Sequence, residues 1–173
     1  MHDALCQLPD RPRSSRTVKT RAHRSYTPAG QTGVRLGNDT EWSLRGRILV
    51  VDDLADAASS LAMICSMYGA QTRTARDGIQ ALKEGAEFRP NVILMDISMP
   101  HMDGYEAARR IRQEEWGREA ILVALTGWGR KADVDAALAA GFDGHLLKPV
   151  EADAMVRVIS ELTARRPGGL SSK

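Results

Sequence analysis

The chain is poor in the residues and runs that would mark several large functional classes. It holds two cysteines in 173 residues, Cys6 and Cys65. They lie in unlike surroundings with no metal-ligand spacing, so neither a disulfide framework nor a zinc site is expected. No apolar run is longer than Ala120 to Leu125, far short of the roughly 18 residues a membrane span needs. The first thirty residues carry arginines without an apolar core, so no secretory signal is visible and a cytoplasmic location follows by default. Neither Gly-x-x-x-x-Gly-Lys-Ser/Thr nor Gly-x-Gly-x-x-Gly occurs, which removes the P-loop nucleotidases and the dinucleotide enzymes.

Charge of one sign is lacking only in the total. The chain has 24 Lys and Arg against 22 acids, but the two are segregated. Residues 1–45 hold eight basic residues against four acids, and residues 164–173 hold three against none, which leaves 13 against 18 between them. An acidic body with basic ends argues against a nucleic-acid-binding core, and no DNA-binding domain is expected. Residues 1–45 are rich in Arg, Ser, Thr, Pro and Gly without helical or strand periodicity. Their composition favours a disordered leader, with a partner-docking peptide or an inert upstream extension left open. Residues 164–173, with Pro167-Gly168-Gly169, read as a flexible tail.

What is present is a regular alternation over residues 46–163. Arg47 to Val51, Gln71 to Ala75, Val92 to Met95, Ala120 to Leu125 and His145 to Leu147 are short strand-like runs. Helical patterns stand between and after them. Leu61, Ile64, Cys65 and Tyr68 lie at helical spacing on one face of the first helix, which Gly69 stops. Asp77-Gly78 opens a second helix with Ile79, Leu82 and Ala86 inward. A third runs from Gly104 to Glu115 with Ala108 and Ile111 inward, and a fourth from Lys131 to Ala140. The last presents Met155, Val158, Ile159 and Leu162 on one face. Five strands alternating with five helices predict an α/β fold, a doubly wound five-stranded parallel sheet in the order 2-1-3-4-5.

The strands end on chemistry. The first ends on Asp52-Asp53, the third on Asp96, the fourth on Thr126 and the fifth on Lys148. The C-terminal edge of such a sheet is where ligands bind. Taken singly, the acids and Thr126 read equally well as helix caps and Lys148 as a surface ion-pair partner. Joint placement on one edge is what favours a site. Three carboxylates packed together repel one another unless a cation sits among them, and oxygen-only ligands favour a hard ion such as Mg²⁺ over zinc. A lysine and a hydroxyl opposite them suit a phosphoryl group. Asp96, between the two sides, is the natural nucleophile for an aspartyl-phosphate.

The motifs that carry these residues resemble a known family. Val50-Val51-Asp52-Asp53, Leu94 to Pro100 with Met102-Asp103-Gly104, Ala124-Leu125-Thr126-Gly127 and Leu147-Lys148-Pro149 match, in order and spacing, the receiver domains of bacterial two-component response regulators. That resemblance implies a flavodoxin-like receiver fold, here similar to receivers associated with hybrid sensor kinases. It implies that Asp96 takes a phosphoryl group from a phosphohistidine on a sensor histidine kinase or histidine phosphotransfer protein. It further implies that Asp53, Asp96 and the backbone carbonyl of Ser98 ligate Mg²⁺ directly, with Asp52 acting through water. Thr126 and Lys148 would hold phosphoryl oxygens, and the Lys148-Pro149 bond would be cis. A phosphorylation-dependent homodimer is compatible with the family.

Two positions are particular to this chain. His145 stands three residues before the lysine, where the family commonly carries Tyr or Phe as a rotating switch. Trp128 lies two residues past Thr126, where its bulk would hinder water attack on an acyl phosphate or serve as a partner contact. Two rival functions remain in view. A haloacid-dehalogenase-type phosphatase needs a second Asp two residues after the nucleophile, and Ser98 stands there. A non-phosphorylated scaffold is disfavoured because every expected site residue is present. The protein is thus expected to be a phosphoacceptor, not an enzyme turning over a separate substrate.

Overall fold

A computed structural model of the chain describes residues 44–165 apart from residue 128. Strands β1 (Gly46–Val51), β2 (Ala70–Ala75), β3 (Val92–Asp96), β4 (Ile121–Thr126) and β5 (Gly144–Leu147) form one sheet. All neighbours run parallel, in the order β2-β1-β3-β4-β5. β3 and β4 are buried at every residue, as expected for central strands covered on both faces. The helices are α1 (Ala55–Met67), α2 (Gly78–Phe88), α3 (Gly104–Gln113), the short α4 (Glu115–Glu119), α5 (Lys131–Ala140) and α6 (Ala152–Ala164).

Strand alternation sorts the core into two layers. Leu49, Val51, Ile93, Met95, Leu122 and Ala124 point to the face covered by α2, α3, α4 and α5. Ile48, Val50, Val92, Leu94, Ile121, Val123 and Leu125 point to the face covered by α1 and α6. Cys65 of α1 and Met155 of α6 meet in that second layer, sulfur to sulfur at 3.6 Å. Burial pushes the Cys65 thiol up to about 12, against a smaller opposing effect of a backbone hydrogen bond.

Three details differ from the sequence reading. The inward face of α2 is Gly78, Ala81 and Gly85, whereas Ile79 is 59% exposed and Ala86 is also outside. The reason is Trp116, whose ring lies over Gly85 so closely that a methyl there would meet it at 2.1 Å. The third helix ends at Gln113 instead of running on to Glu115. Glu114 is extended, and the turn that follows brings Gly117 against the end of α3, where a Cβ would lie 1.9 Å from the Ile111 carbonyl oxygen. That turn seats Trp116 in the core at 8% exposure. Leu44, within the segment expected as leader, is buried, and its N–H donates to the Tyr68 carbonyl at 2.9 Å. Residues 1–43 of the leader, Trp128 and residues 166–173 lie outside the described residues.

A candidate phosphoacceptor site

Each functional side chain is delivered by the C-terminal end of a strand. β1 runs directly into Asp52 and Asp53, and the Asp52 N–H donates to the Ala75 carbonyl of β2 at 3.1 Å. The Asp52 carboxylate also accepts the Leu54 N–H at 3.0 Å, which fixes the turn into α1. Asp96 is the last residue of β3 and pairs in register with Leu125 of β4. Thr126 closes β4, pairs in register with Leu147, and its carbonyl accepts the Lys148 N–H at 2.8 Å. Sheet hydrogen bonding therefore places four strand ends on one edge and leaves little freedom in their relative positions. The Lys148-Pro149 peptide bond is cis, as the resemblance implied.

The side chains then converge. Asp52, Asp53 and Asp96 each offer a carboxylate oxygen, and the three oxygens lie within 4.8 Å of one another. Lys148 Nζ donates to Asp52 Oδ2 at 2.7 Å and lies 3.2 Å from Asp96 Oδ2. Asp52, Asp96 and Thr126 are buried, whereas Asp53 faces solvent. Ser98 is exposed in the loop between β3 and α3, and among the described residues no hydrogen bond joins its side chain to the cluster. Burial works to lower the Lys148 ammonium; its hydrogen bond to Asp52 and the charge of Asp96, with lesser contacts to both, overcome this and hold it above the usual lysine value.

One ammonium does not balance three carboxylates. Two unit charges near 5 Å repel by about 1 kcal/mol in bulk water and by several times that where water is partly excluded. An all-oxygen donor set of this size, two of its members buried, fits a small hard divalent cation. Lys148 Nζ, 3.2 Å from Asp96 Oδ2, and Thr126, the last residue of the neighbouring strand, supply a cation and a hydroxyl at the same sheet edge. Together they can hold a tetrahedral anion against a carboxylate nucleophile.

Sequence reasoning located Asp52, Asp53, Asp96, Thr126 and Lys148 because each ends a strand. It did not single out the glycines that let helices approach the site. A methyl at Gly104 would stand 2.4 Å from the Asp96 carbonyl oxygen, so only glycine lets the start of α3 come this close to β3. The Asp103-Gly104 pair was read as a helix start, which it is, since the Asp103 carboxylate accepts the Glu106 N–H. Nothing in the spacing of these residues marks how near that start comes to Asp96.

The geometry agrees with known proteins. A family model for the response regulator receiver domain matches residues 48–160. The receiver domain of sensor histidine kinase PA1611 from Pseudomonas aeruginosa, solved with a magnesium ion coordinated in its active-site cleft, is 32% identical with a TM-score of 0.63. That match covers 68% of this chain and 96% of that one. A chain from the co-crystal structure of the Saccharomyces cerevisiae histidine phosphotransfer protein Ypd1 with the receiver domain of the response regulator Ssk1 is 28% identical, with a TM-score of 0.63. It matches over 67% of this chain and 87% of its own length. The transcriptional regulatory protein PrrA of Mycobacterium leprae is 34% identical over 69% of this chain and 51% of its own, so this chain spans about half the length of that relative. The sheet order, the acidic pocket and these matches lead to one conclusion: the chain belongs to the response regulator receiver domain family.

Proposed function

We propose that this receiver accepts a phosphoryl group on Asp96 from a phosphohistidine carried by a sensor kinase or a histidine phosphotransfer protein, with Mg²⁺ as its cofactor. An Asp96 carboxylate oxygen attacks phosphorus, and the P–N bond of the phosphohistidine breaks. Its electron pair stays on the imidazole nitrogen, which takes up a proton. Lys148 moves from the unmodified carboxylate to the phosphoryl oxygens, and the Thr126 hydroxyl donates to another of them. Asp53, Asp96 and the Ser98 carbonyl would hold the cation directly, and Asp52 through water. When bound, the ion neutralises charge on the acceptor and on the incoming phosphoryl oxygens.

The observation that carries this reading is the convergence of Lys148 Nζ on Asp52 and Asp96, at 2.7 and 3.2 Å, beside a third carboxylate. A phosphatase of the haloacid-dehalogenase type needs a general acid where Ser98 stands. The reading therefore has the protein modify and regenerate itself, without turnover of a separate substrate. A free-standing cytoplasmic receiver whose output is phosphate relay or a phosphorylation-dependent surface completes it. Among the described residues no helix is long and apolar enough to cross a membrane.

The test is incubation with acetyl phosphate and Mg²⁺ followed by intact-mass measurement. A phosphoryl adduct is expected on the wild-type chain and absent from Asp96→Asn. An adduct on both proteins, or on neither, rejects Asp96 as the acceptor.

A further inference from the structure

The loop from Ile97 to Asp103 is held in an unusual way. Met99 N–H donates to the Ile97 carbonyl at 3.2 Å and Met102 N–H to the Pro100 carbonyl at 2.7 Å. Both are three-residue turns, centred on Ser98 and on His101. His101 has φ of 66°, the rare and strained sense for such a turn in an L-residue. Strained backbone of this kind persists only where its surroundings over-determine it.

The surroundings here are two buried methionines and two glycines. Met99 and Met102 are 8% and 5% exposed in the core layer under α2 and α3. Met102 fills a slot against Gly78, where a methyl would meet its Sδ at 2.7 Å and its Cγ at 2.8 Å. The chain then returns to β3, with the Gly104 N–H on the Ile97 carbonyl at 2.9 Å. The turn that contains Ser98 is thus pinned at both ends, by β3 before it and by the buried Met99 and Met102 after it.

We infer that Met102, seated on Gly78 of α2, is a positioning residue that fixes the Ser98 carbonyl and the Asp96 main chain for the cation site. It touches neither the cation nor the phosphoryl group and acts through the loop. A flexible loop would have to be ordered at each binding event, whereas a loop already held in its strained form presents its carbonyl without that cost. The inference rests on the proposed cation site, and its test has one arm independent of metal.

The experiment uses the full chain with Met102→Ala, the conservative Met102→Leu, and Met155→Ala as a control. Met155 is fully buried in the opposite core layer, beside Cys65. Mg²⁺ affinity is measured by calorimetry, and exchange of the Gly104 amide by NMR without metal. Met102→Ala is expected to weaken Mg²⁺ binding by about tenfold, the range seen when outer supports of a metal site are lost. It is also expected to speed Gly104 exchange, and Met102→Leu to recover most of both. Met155→Ala should lower Tm comparably and leave both unchanged. Wild-type affinity and wild-type Gly104 exchange in Met102→Ala would overturn the inference, as would equal losses in Met155→Ala. If the wild-type chain itself binds no Mg²⁺, the cation reading fails, and the exchange arm alone decides whether Met102 holds the loop.

Discussion

Replacing Arg112 by alanine should cost this domain about 3 kcal/mol, although the residue lies at the end of the sheet opposite the phosphoacceptor site. Its guanidinium donates to the carbonyls of Gly141 at 2.8 Å, Gly117 at 2.7 Å and Ala120 at 2.7 Å. It also donates to the Asp143 carboxylate at 2.7 Å, which in turn accepts the Leu122 N–H at 2.8 Å. One side chain thereby ties the ends of α3 and α5, the short α4 and the first residues of β4. A hydrogen bond involving a charged group is worth roughly 1.5–3 kcal/mol net when buried. Four at the lower bound would give about 6 kcal/mol, but the Arg112 side chain is 21% exposed, so water can serve part of what is lost and about half survives. Urea denaturation followed by far-UV circular dichroism measures the difference, which for a domain of this size corresponds to a fall in Tm of roughly 10 °C. Arg112→Lys keeps the charge but not the planar fork, and should lose about half as much. A change under about 1 kcal/mol for Arg112→Ala, or none for Arg112→Lys, would refute the clasp argument.

Other perturbations give equally definite outcomes. Gly85→Ala should destabilise by about 2 kcal/mol through overpacking against Trp116, and Trp116→Leu should recover part of it in the double variant; thermal unfolding of the three proteins checks this. Stability should fall with a limiting slope of about 1.4 kcal/mol per pH unit between pH 9 and about 12 from Cys65 alone. The sign follows because the unfolded thiol ionises near 9 while the buried one stays neutral to about 12, so the unfolded chain binds fewer protons in that window. Cys65→Ala should flatten this part of the urea-midpoint profile, and an unchanged slope would refute it. His101→Gly should raise stability by about 0.5–1 kcal/mol by relieving its positive φ, read as a shift in the urea midpoint.

Much of this architecture is visible before any coordinates. β3 and β4 are read from uninterrupted aliphatic runs because strands covered on both faces need no polar alternation. Five site side chains are equally visible, since a polar residue that ends such a run has only the sheet edge to occupy. The inward face of α2 was legible only at Leu82, which packs against the core. Ile79 and Ala86 have the right spacing for burial, but the face is decided by Trp116, thirty residues away in sequence, which needs a surface without side chains and finds it at Gly85. The break between α3 and α4 is hidden for a related reason. Glu114 and Glu115 are acceptable helix formers, and the turn is imposed by where Trp116 and Gly117 must pack. Arg112 reads as one more exposed charge on α3 because three of its partners are main-chain carbonyls, which carry no mark in the sequence.

The phosphoacceptor site departs from the local consistency found elsewhere in the domain. The two core layers are built almost wholly of apolar side chains, whereas here three carboxylates cluster and one lysine pairs with two of them. Such a departure is expected where stability has been exchanged for function. It also links two measurements that would otherwise be unrelated. The repulsion that weakens the metal-free fold is the interaction a bound cation relieves, so removing one acid should move the two quantities in opposite directions. Asp53→Asn should stabilise the metal-free protein, and because Asp53 faces solvent the gain should stay near the bulk-water value of about 1 kcal/mol for charges this far apart. The same substitution should abolish the rise in Tm expected of the wild-type chain in millimolar Mg²⁺. A variant that gained stability and still responded to Mg²⁺ would assign the repulsion to Asp53 and the cation to other ligands. A variant that lost both would show that Asp53 supports the fold itself, and the acidic pocket would then have to be explained by packing.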